Sequence, residues 1–371
     1  MVLDQGAMSI STAQFVILGV AAFALTGLLT WPVRALAIRL GAMDAPNLAR
    51  KTQTEPVPYL GGVAIALGIT IITFAAVFVG GNASGENNGQ LKDLALTVLL
   101  PALVLGAMGL FDDLRSLSPW PRLLTQSLIG TVVAFVIVEN GTIGTAFGNG
   151  GTLEQGMDST SGSWINTLVT IVWIVGICNS INFFDNLDGA ASGAVAIAAL
   201  GVFVIAFDRG QELVSALSIV TAGATIGFLL WNKSPAKIYM GDAGALFLGI
   251  IISVATIRLN PGITPTWHSL AIPVMLLAVP LLDTCVAVFS RLARGLSPLT
   301  GGKDHLSHRL VRAGLTRPMA AISLWSASGV CAMFAICVYF FADSIGSALI
   351  GTFATVWLIA LVLFLRTPSH D

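Results

Sequence analysis

Four short polar segments hold most of the residues in this chain that could do chemistry. The first is Gly109-Leu110-Phe111-Asp112-Asp113-Leu114-Arg115. Adjacent carboxylates repel each other and are costly beside hydrocarbon unless something positive compensates, and a divalent metal or Mg²⁺-bound phosphate would do so. A helix-end pair satisfied by Arg115 and water is the plainer alternative. The second segment is Asn179-Ser180-Ile181-Asn182-Phe183-Phe184-Asp185-Asn186-Leu187-Asp188-Gly189. Asn179 and Asn182 lie three apart on one helical face, and Asp185 and Asp188 repeat the spacing. Amide and carboxylate oxygens suit a hard cation, and amides also match the edge of a nucleobase.

The third segment, Lys237-Ile238-Tyr239-Met240-Gly241-Asp242-Ala243-Gly244, leads into an apolar stretch. Glycines let the backbone approach a phosphate, and a helix N-terminus favours an anion. Asp242 could equally serve only as the N-cap of that helix. The fourth is Gly301-Gly302-Lys303-Asp304-His305-Leu306-Ser307-His308-Arg309-Leu310-Val311-Arg312. If helical, His305, His308, Arg309 and Arg312 share a face suited to a diphosphate. A two-histidine zinc site lacks a third ligand at suitable spacing. Two quieter features are Arg50-Lys51 ahead of Pro56-Val57-Pro58-Tyr59-Leu60-Gly61-Gly62, and Asp283, a carboxylate inside an apolar span. The four cysteines lie within apolar spans without metal-ligand spacing and read as packing residues.

The elements that must position these segments are hydrophobic. The chain of 371 residues is 55% hydrophobic and 10% charged, with a mean hydropathy of +0.87. A spanning helix needs about 20 mostly apolar residues. Eleven candidates occur, near 12–31, 59–80, 94–111, 122–139, 164–181, 187–207, 213–231, 243–258, 270–290, 319–341 and 346–365. The expected fold is therefore all-α, a polytopic membrane protein made of a single transmembrane domain, residues 1–371. No Lys or Arg precedes Arg34, so the first span lacks the basic region of a cleaved signal. Alternate loops hold fifteen of the eighteen lysines and arginines, leaving Lys92, Arg209 and Arg258 on the other side. That bias places the N-terminus outside and the C-terminus in the cytoplasm. It also sends every reactive segment to the cytoplasmic face, in loops near 50–58, 112–121, 179–189, 232–244 and 291–318. The outer loops are rich in Gly, Asn, Ser and Thr and read as solvated connectors. A net charge of −1 argues against nucleic acid as a partner.

Taken together and in order, these motifs resemble those of the polyprenyl-phosphate N-acetylhexosamine-1-phosphate transferases, the MraY/WecA superfamily. The match runs from Lys51 through Pro58 and Gly61-Gly62, Asp112-Asp113, Asn179 to Gly189, and Gly241-Asp242-Ala243-Gly244 to His305-Leu306-Ser307-His308-Arg309. The resemblance implies a multi-span enzyme of a bacterial inner membrane with a cytoplasmic active site. Such an enzyme moves a sugar-1-phosphate from a UDP-N-acetylhexosamine to a polyprenyl phosphate such as undecaprenyl phosphate. It releases UMP, uses Mg²⁺ with Mn²⁺ as a substitute, and opens a cell-envelope polysaccharide pathway. The bilayer is a partner, and a homodimer is compatible with this reading. By the same resemblance, Asp242 would bind the metal with Asn182 as a second ligand. Asp112 would deprotonate the lipid phosphate, with Asp113 as its catalytic neighbour. Asp185 and Asp188 would lie by the uridine, supported by Asn179. His305, His308 and Arg309 would meet the diphosphate, Lys51 a phosphate, and Lys237 would be a further substrate-binding residue.

Departures from the family pattern narrow the substrate. The peptide-bearing branch has Thr-Pro-Thr-Met-Gly-Gly and a run of adjacent histidines, where this chain has Val57-Pro58-Tyr59-Leu60-Gly61-Gly62 and His305-Leu306-Ser307-His308. UDP-GlcNAc is the expected donor, with phospho-MurNAc-pentapeptide transfer as the alternative. Gln53, Ser116 and Asn186 also differ from common family residues. A CDP-alcohol phosphotransferase would need further aspartates after Asp188-Gly189. An intramembrane aspartyl protease would need a glycine where Met240 stands, and a transporter would put its ionisable groups near mid-membrane.

Overall fold

Apolar sequence that cannot hydrogen-bond to lipid must satisfy its backbone internally, which in this composition means helices. The computed structural model describes residues 10–45, 55–81, 94–115, 117–139, 159–298 and 302–367. The expected Lys51 site, together with Gln53 and Ser116, lies outside them. The helices are α1 (Thr12–Arg39), α2 (Gly61–Gly81), α3 (Leu100–Arg115), α4 (Pro119–Glu139), α5 (Ser159–Phe184), α6 (Ala190–Asp208) and α7 (Glu212–Asn232). They continue with α8 (Gly241–Arg258), α9 (Thr266–Leu276), α10 (Ala278–Ala293), α11 (Leu306–Arg312), α12 (Arg317–Phe340) and α13 (Ser347–Arg366). A small antiparallel pair, Met43–Asp44 with Val57–Pro58, precedes α2.

The protein is an all-α, multi-pass membrane protein. Each of the eleven expected spans falls on a helix, with one difference: the segment near 270–290 is broken into α9 and α10, bent by 74°. Among the described residues, eight helices are long and apolar enough to cross a membrane, or nine with that bent pair counted once. Helix α2 falls short because its described apolar run covers only Gly61–Val77.

Helix α8 forms the centre, buried along nearly its whole length, with α3, α5 and α2 packed around it. Helix α13 is peripheral and buries no residue fully. Lipid tails are as apolar as leucine, so helices associate here through close backbone packing rather than hydrophobic exclusion. Small residues make that approach achievable. A Cβ at Gly223 of α7 would run into the Gly19 carbonyl of α1, and one at Gly62 of α2 would strike the Gly244 backbone of α8. The start of α2 is further tied to the segment before α8, because Gly61 N and Gly62 N donate to the carbonyls of Tyr239 and Met240, both at 2.9 Å.

The polar segments gather at one end of this bundle. Arg34 near the end of α1 donates to the Lys237 carbonyl at 2.9 Å. The opposite end carries its own bonds, including Arg258 to Thr97 at 2.6 Å and Tyr339 to Asp208 at 2.5 Å. Arg209 also lies there, beside Gly262.

The α2–α8 crossing gives a differential prediction. Gly62→Ala forces a methyl group into backbone and should destabilise the protein by about 1–3 kcal/mol. Gly351→Ala in α13 meets open space within 4 Å and should leave the unfolding temperature unchanged or slightly raised. Thermal unfolding of both purified variants in detergent checks the contrast.

Candidate active site

The site is built on the first turn of α8. Gly241 takes φ +67°, a left-handed conformation that suits glycine, and starts the helix. Asp242 is therefore inside the first turn, and the expectation that it could be the N-cap is corrected: the N-cap position is Met240, whose side chain makes no capping bond. The cap comes from another helix. Asp113 Oδ1 accepts from Asp242 N at 2.9 Å, and Asp113 Oδ2 accepts from Ala243 N at 3.1 Å. A carboxylate at a helix N-terminus satisfies orphan amides and complements the helix dipole. Both oxygens of Asp113 thus hold the helix start, which leaves Asp242 free to face the polar end.

Around Asp242 the structure brings together three side chains from three other places in the chain. Asn182, near the end of α5, donates through Nδ2 to Asp242 Oδ1 at 2.6 Å. Arg122, in the first turn of α4, donates through Nη1 to Asp242 Oδ2 at 3.0 Å and reaches Asp112 Oδ2 at 3.5 Å. Asp112 Oδ1 accepts from Leu117 N at 2.7 Å. Arg122 entered the sequence reading only as one of the cytoplasmic charges. Its signal there was position alone, a basic residue ten after Asp112, and only the fold shows it bridging two carboxylates.

Asp185 lies just beyond α5 and is half-buried, with no hydrogen-bond partner for its carboxylate among the described residues. Burial first, then the charges of Asp242, Asp113 and Asp188, push its pKa up to about 8. Asp188 is engaged differently, accepting from Ala236 N at 3.0 Å and pinning the loop before α8. Asn232 completes that pin: its Oδ1 accepts from Gly189 N at 3.1 Å, and its Nδ2 donates to the Ile238 carbonyl at 3.0 Å.

A basic loop sits against the acidic cluster. Ser307 donates to Asn186 Oδ1, and the His305 ring meets Phe183 edge-on with centroids 6.0 Å apart. Asp283, fully buried, explains the loop's position. One carboxylate oxygen is 2.7 Å from His305 Nδ1, and the other accepts from Leu306 N at 2.7 Å. Arg291 Nη2 lies 3.2 Å from His305 Nε2, and Arg291 Nε donates to Asp304 at 3.2 Å. The intramembrane carboxylate that sequence left without a partner is thus the anchor of His305.

Several expected site residues are placed elsewhere. Arg309 was expected to meet a diphosphate, but it is 1% exposed and wholly committed to structure. It donates to the carbonyls of Asp304 (3.0 Å), Phe364 (2.5 Å) and Thr367 and to the Ser290 hydroxyl (2.6 Å), so it holds the end of α13. Burial and then the neighbouring His305 lower the pKa of His308 to about 4, which favours a neutral imidazole over the cation near pH 7. Lys237 is exposed, with its ammonium 5.8 Å over the Trp231 ring. Asn179 donates to Gln126 at 2.6 Å and to the Val175 carbonyl, joining α5 to α4 rather than supporting Asp185.

Among the described residues, no three His, Cys, Asp or Glu side chains converge so as to hold a metal alone. The donors at the cluster are nonetheless all hard oxygens or amides. Mg²⁺ is commonly held by one or two carboxylates plus substrate phosphate oxygens, so Asp242, with Asn182 able to present an amide oxygen, fits that ion.

Two outcomes follow from this geometry. Asp283→Ala strands Leu306 N and His305 Nδ1, which should cost about 1–3 kcal/mol for each buried donor left unpaired, read by thermal unfolding. Asp185 binds its proton more tightly folded (about 8) than unfolded (3.8), so its contribution to stability is complete below pH 3.8 and is lost as pH rises through 8. In EDTA, Asp185→Asn should match the parent protein at the acid end of that window and be more stable than it above the upper end.

Similarity to known proteins agrees with the motifs. The glycosyl transferase family 4 profile matches residues 95–260. A Bacillus subtilis protein named as a probable undecaprenyl-phosphate N-acetylglucosaminyl 1-phosphate transferase is 33% identical over 92% of this chain and 86% of its own. A decaprenyl-phosphate N-acetylglucosaminephosphotransferase of Mycolicibacterium smegmatis is 29% identical over 99% and 92%. A phospho-N-acetylmuramoyl-pentapeptide-transferase of Streptococcus thermophilus is 32% identical over 55% and 59%. With one relative this similar across nearly the full length of both chains, and the ordered motifs on one end of the bundle, the chain belongs to glycosyl transferase family 4, within the polyprenyl-phosphate N-acetylhexosamine-1-phosphate transferase superfamily.

Proposed function

We propose that this protein transfers N-acetylglucosamine-1-phosphate from UDP-GlcNAc to a polyprenyl phosphate, releasing UMP, at the cytoplasmic face of a bacterial inner membrane. The observation that carries the reading is the Asp112–Arg122–Asp242–Asn182 cluster at the bundle end that also holds the His305 loop. Phosphoryl transfer asks little covalent chemistry of a protein and much positioning and charge neutralisation. An anchored lipid phosphate and a nucleotide diphosphate bring several negative charges to one point. A polar end of the bundle with a carboxylate and an amide for a hard cation and donors alongside suits that meeting. The relatives named for N-acetylglucosamine transfer cover more of the chain than the pentapeptide transferase does, which favours the simpler sugar.

In this mechanism a phosphate oxygen of the lipid attacks the sugar-bearing phosphorus of the nucleotide sugar. The bond from that phosphorus to the bridging oxygen breaks, and the electron pair leaves with UMP. Asp242 and Asn182 would hold Mg²⁺, which when bound neutralises charge on the diphosphate and the leaving group. Asp113 keeps the first turn of α8 in register so that Asp242 stays presented. Asp112, held by Leu117 N and Arg122, would take a proton from the lipid phosphate. A phosphate monoester loses its second proton near pH 6, so that lipid is largely dianionic at neutral pH and the base matters less as pH rises. The His305 loop, fixed by Asp283 and Arg291, would border the diphosphate.

Release of UMP is the test. Purified protein with Mg²⁺, undecaprenyl phosphate and UDP-GlcNAc should produce UMP, and EDTA should stop it. Asp242→Asn should lower turnover by about 100-fold or more at every pH. Asp112→Asn should recover part of its activity above about pH 8, where the lipid phosphate needs no base. UMP release with UDP-MurNAc-pentapeptide but not UDP-GlcNAc would assign the peptide-bearing branch, and no UMP with any donor would overturn the transferase reading.

A further inference from the structure

The folded chain itself places a cation between the two carboxylates that the reaction needs. Arg122 Nη1 is 3.0 Å from Asp242 Oδ2 and 3.5 Å from Asp112 Oδ2, with its side chain only 16% exposed. Its Nε is buried and has no hydrogen-bond partner among the described residues. The buried guanidinium of Arg309 differs, using Nε and both terminal nitrogens on carbonyls and a hydroxyl. Arg122 spends one nitrogen on two acids and leaves a desolvated donor unused, and an unsatisfied buried donor of that kind is rare without a functional reason.

The charges explain what such a donor is for. A divalent cation on Asp242 would stand beside a guanidinium already bonded to the same carboxylate. Arg122 already pairs with both carboxylates, so the ion and the guanidinium would compete for the same Asp242 oxygens. Asp113 is already committed to the α8 amides. A nucleotide diphosphate supplies further negative charge and oxygen acceptors for the unused Nε–H. We propose that Arg122 is an internal counter-ion that opposes divalent-metal binding in the resting enzyme and transfers its bonds to the diphosphate on substrate binding, so that metal and nucleotide bind cooperatively. This inference rests on the reading that Asp242 and Asn182 hold the metal. It adds that this metal site is complete only with the nucleotide present, and that Arg122 enforces the condition.

Binding of Mn²⁺ to the detergent-purified full chain, followed by electron paramagnetic resonance with and without UDP, tests it without turnover. In the parent protein, UDP should tighten Mn²⁺ binding by about tenfold or more, the scale of one nearby charge in a partly desolvated site. By reciprocity, Mn²⁺ should tighten UDP binding by the same factor. Arg122→Gln should bind Mn²⁺ without UDP about tenfold more tightly than the parent does, with UDP adding little, while Arg122→Lys keeps the parent's pattern. Equal Mn²⁺ affinity in the parent protein with and without UDP overturns the proposal, and this measurement does not depend on any variant folding. Asp242→Asn separates the two ideas. If it abolishes Mn²⁺ binding while Arg122→Gln leaves it unchanged, the counter-ion role is wrong and the metal site stands. If it leaves Mn²⁺ binding intact, the metal site itself is wrong.

Discussion

The first turn of α8 is where packing and chemistry constrain each other. Its leading amides are held by Asp113 from α3, and its backbone is pressed by Gly109 of α3 and Gly62 of α2 so closely that neither position has room for a side chain. An apolar central helix could slide or rotate among its neighbours, since lipid gives no hydrophobic penalty for small shifts. A carboxylate bonded to two successive amides removes that freedom. The same lock aims Asp242 at the polar end and brings Asn182 and Arg122 within bonding distance of it. Adjacent aspartates therefore divide the labour, with Asp113 fixing a helix and Asp112 facing the cluster.

The acidic cluster and the His305 loop hang from different helices. The acidic cluster draws on α3, α5 and α8, whereas the basic loop hangs from α10 through Asp283. That carboxylate is fully enclosed, which is costly in hydrocarbon unless both oxygens are used. Here they are used, on His305 and on the first amide of α11. The loop meets the acidic side through Phe183 and the Asn186–Ser307 bond, so a substrate spanning both would touch segments more than a hundred residues apart in sequence.

One expected diphosphate ligand illustrates how a motif can be right about place and wrong about task. Arg309 belongs to the same short helix as His308, yet its guanidinium turns inward to the last carbonyls of α13. Helix ends leave carbonyls unpaired, and inside a membrane protein those need a donor. Conversely, Arg122 and Gln126 of α4 gave no motif at all, because a single basic or amide residue near a loop has no spacing to betray it.

Hydropathy determined the helical class and the position of every long apolar segment, because the need for about 20 apolar residues per crossing is a local property of the chain. Charge bias between loops sorted the reactive segments to one side, and motif order carried the family. The bend between α9 and α10 escaped that reading, since an apolar run looks the same whether straight or broken. Partner choice escaped it too. Asp113 meets α8 across 129 residues and Arg122 meets Asp242 across 120, and no spacing rule reaches so far. Which acid caps, which binds and which arginine stands between them was decided only when close-packed helices brought those ends together.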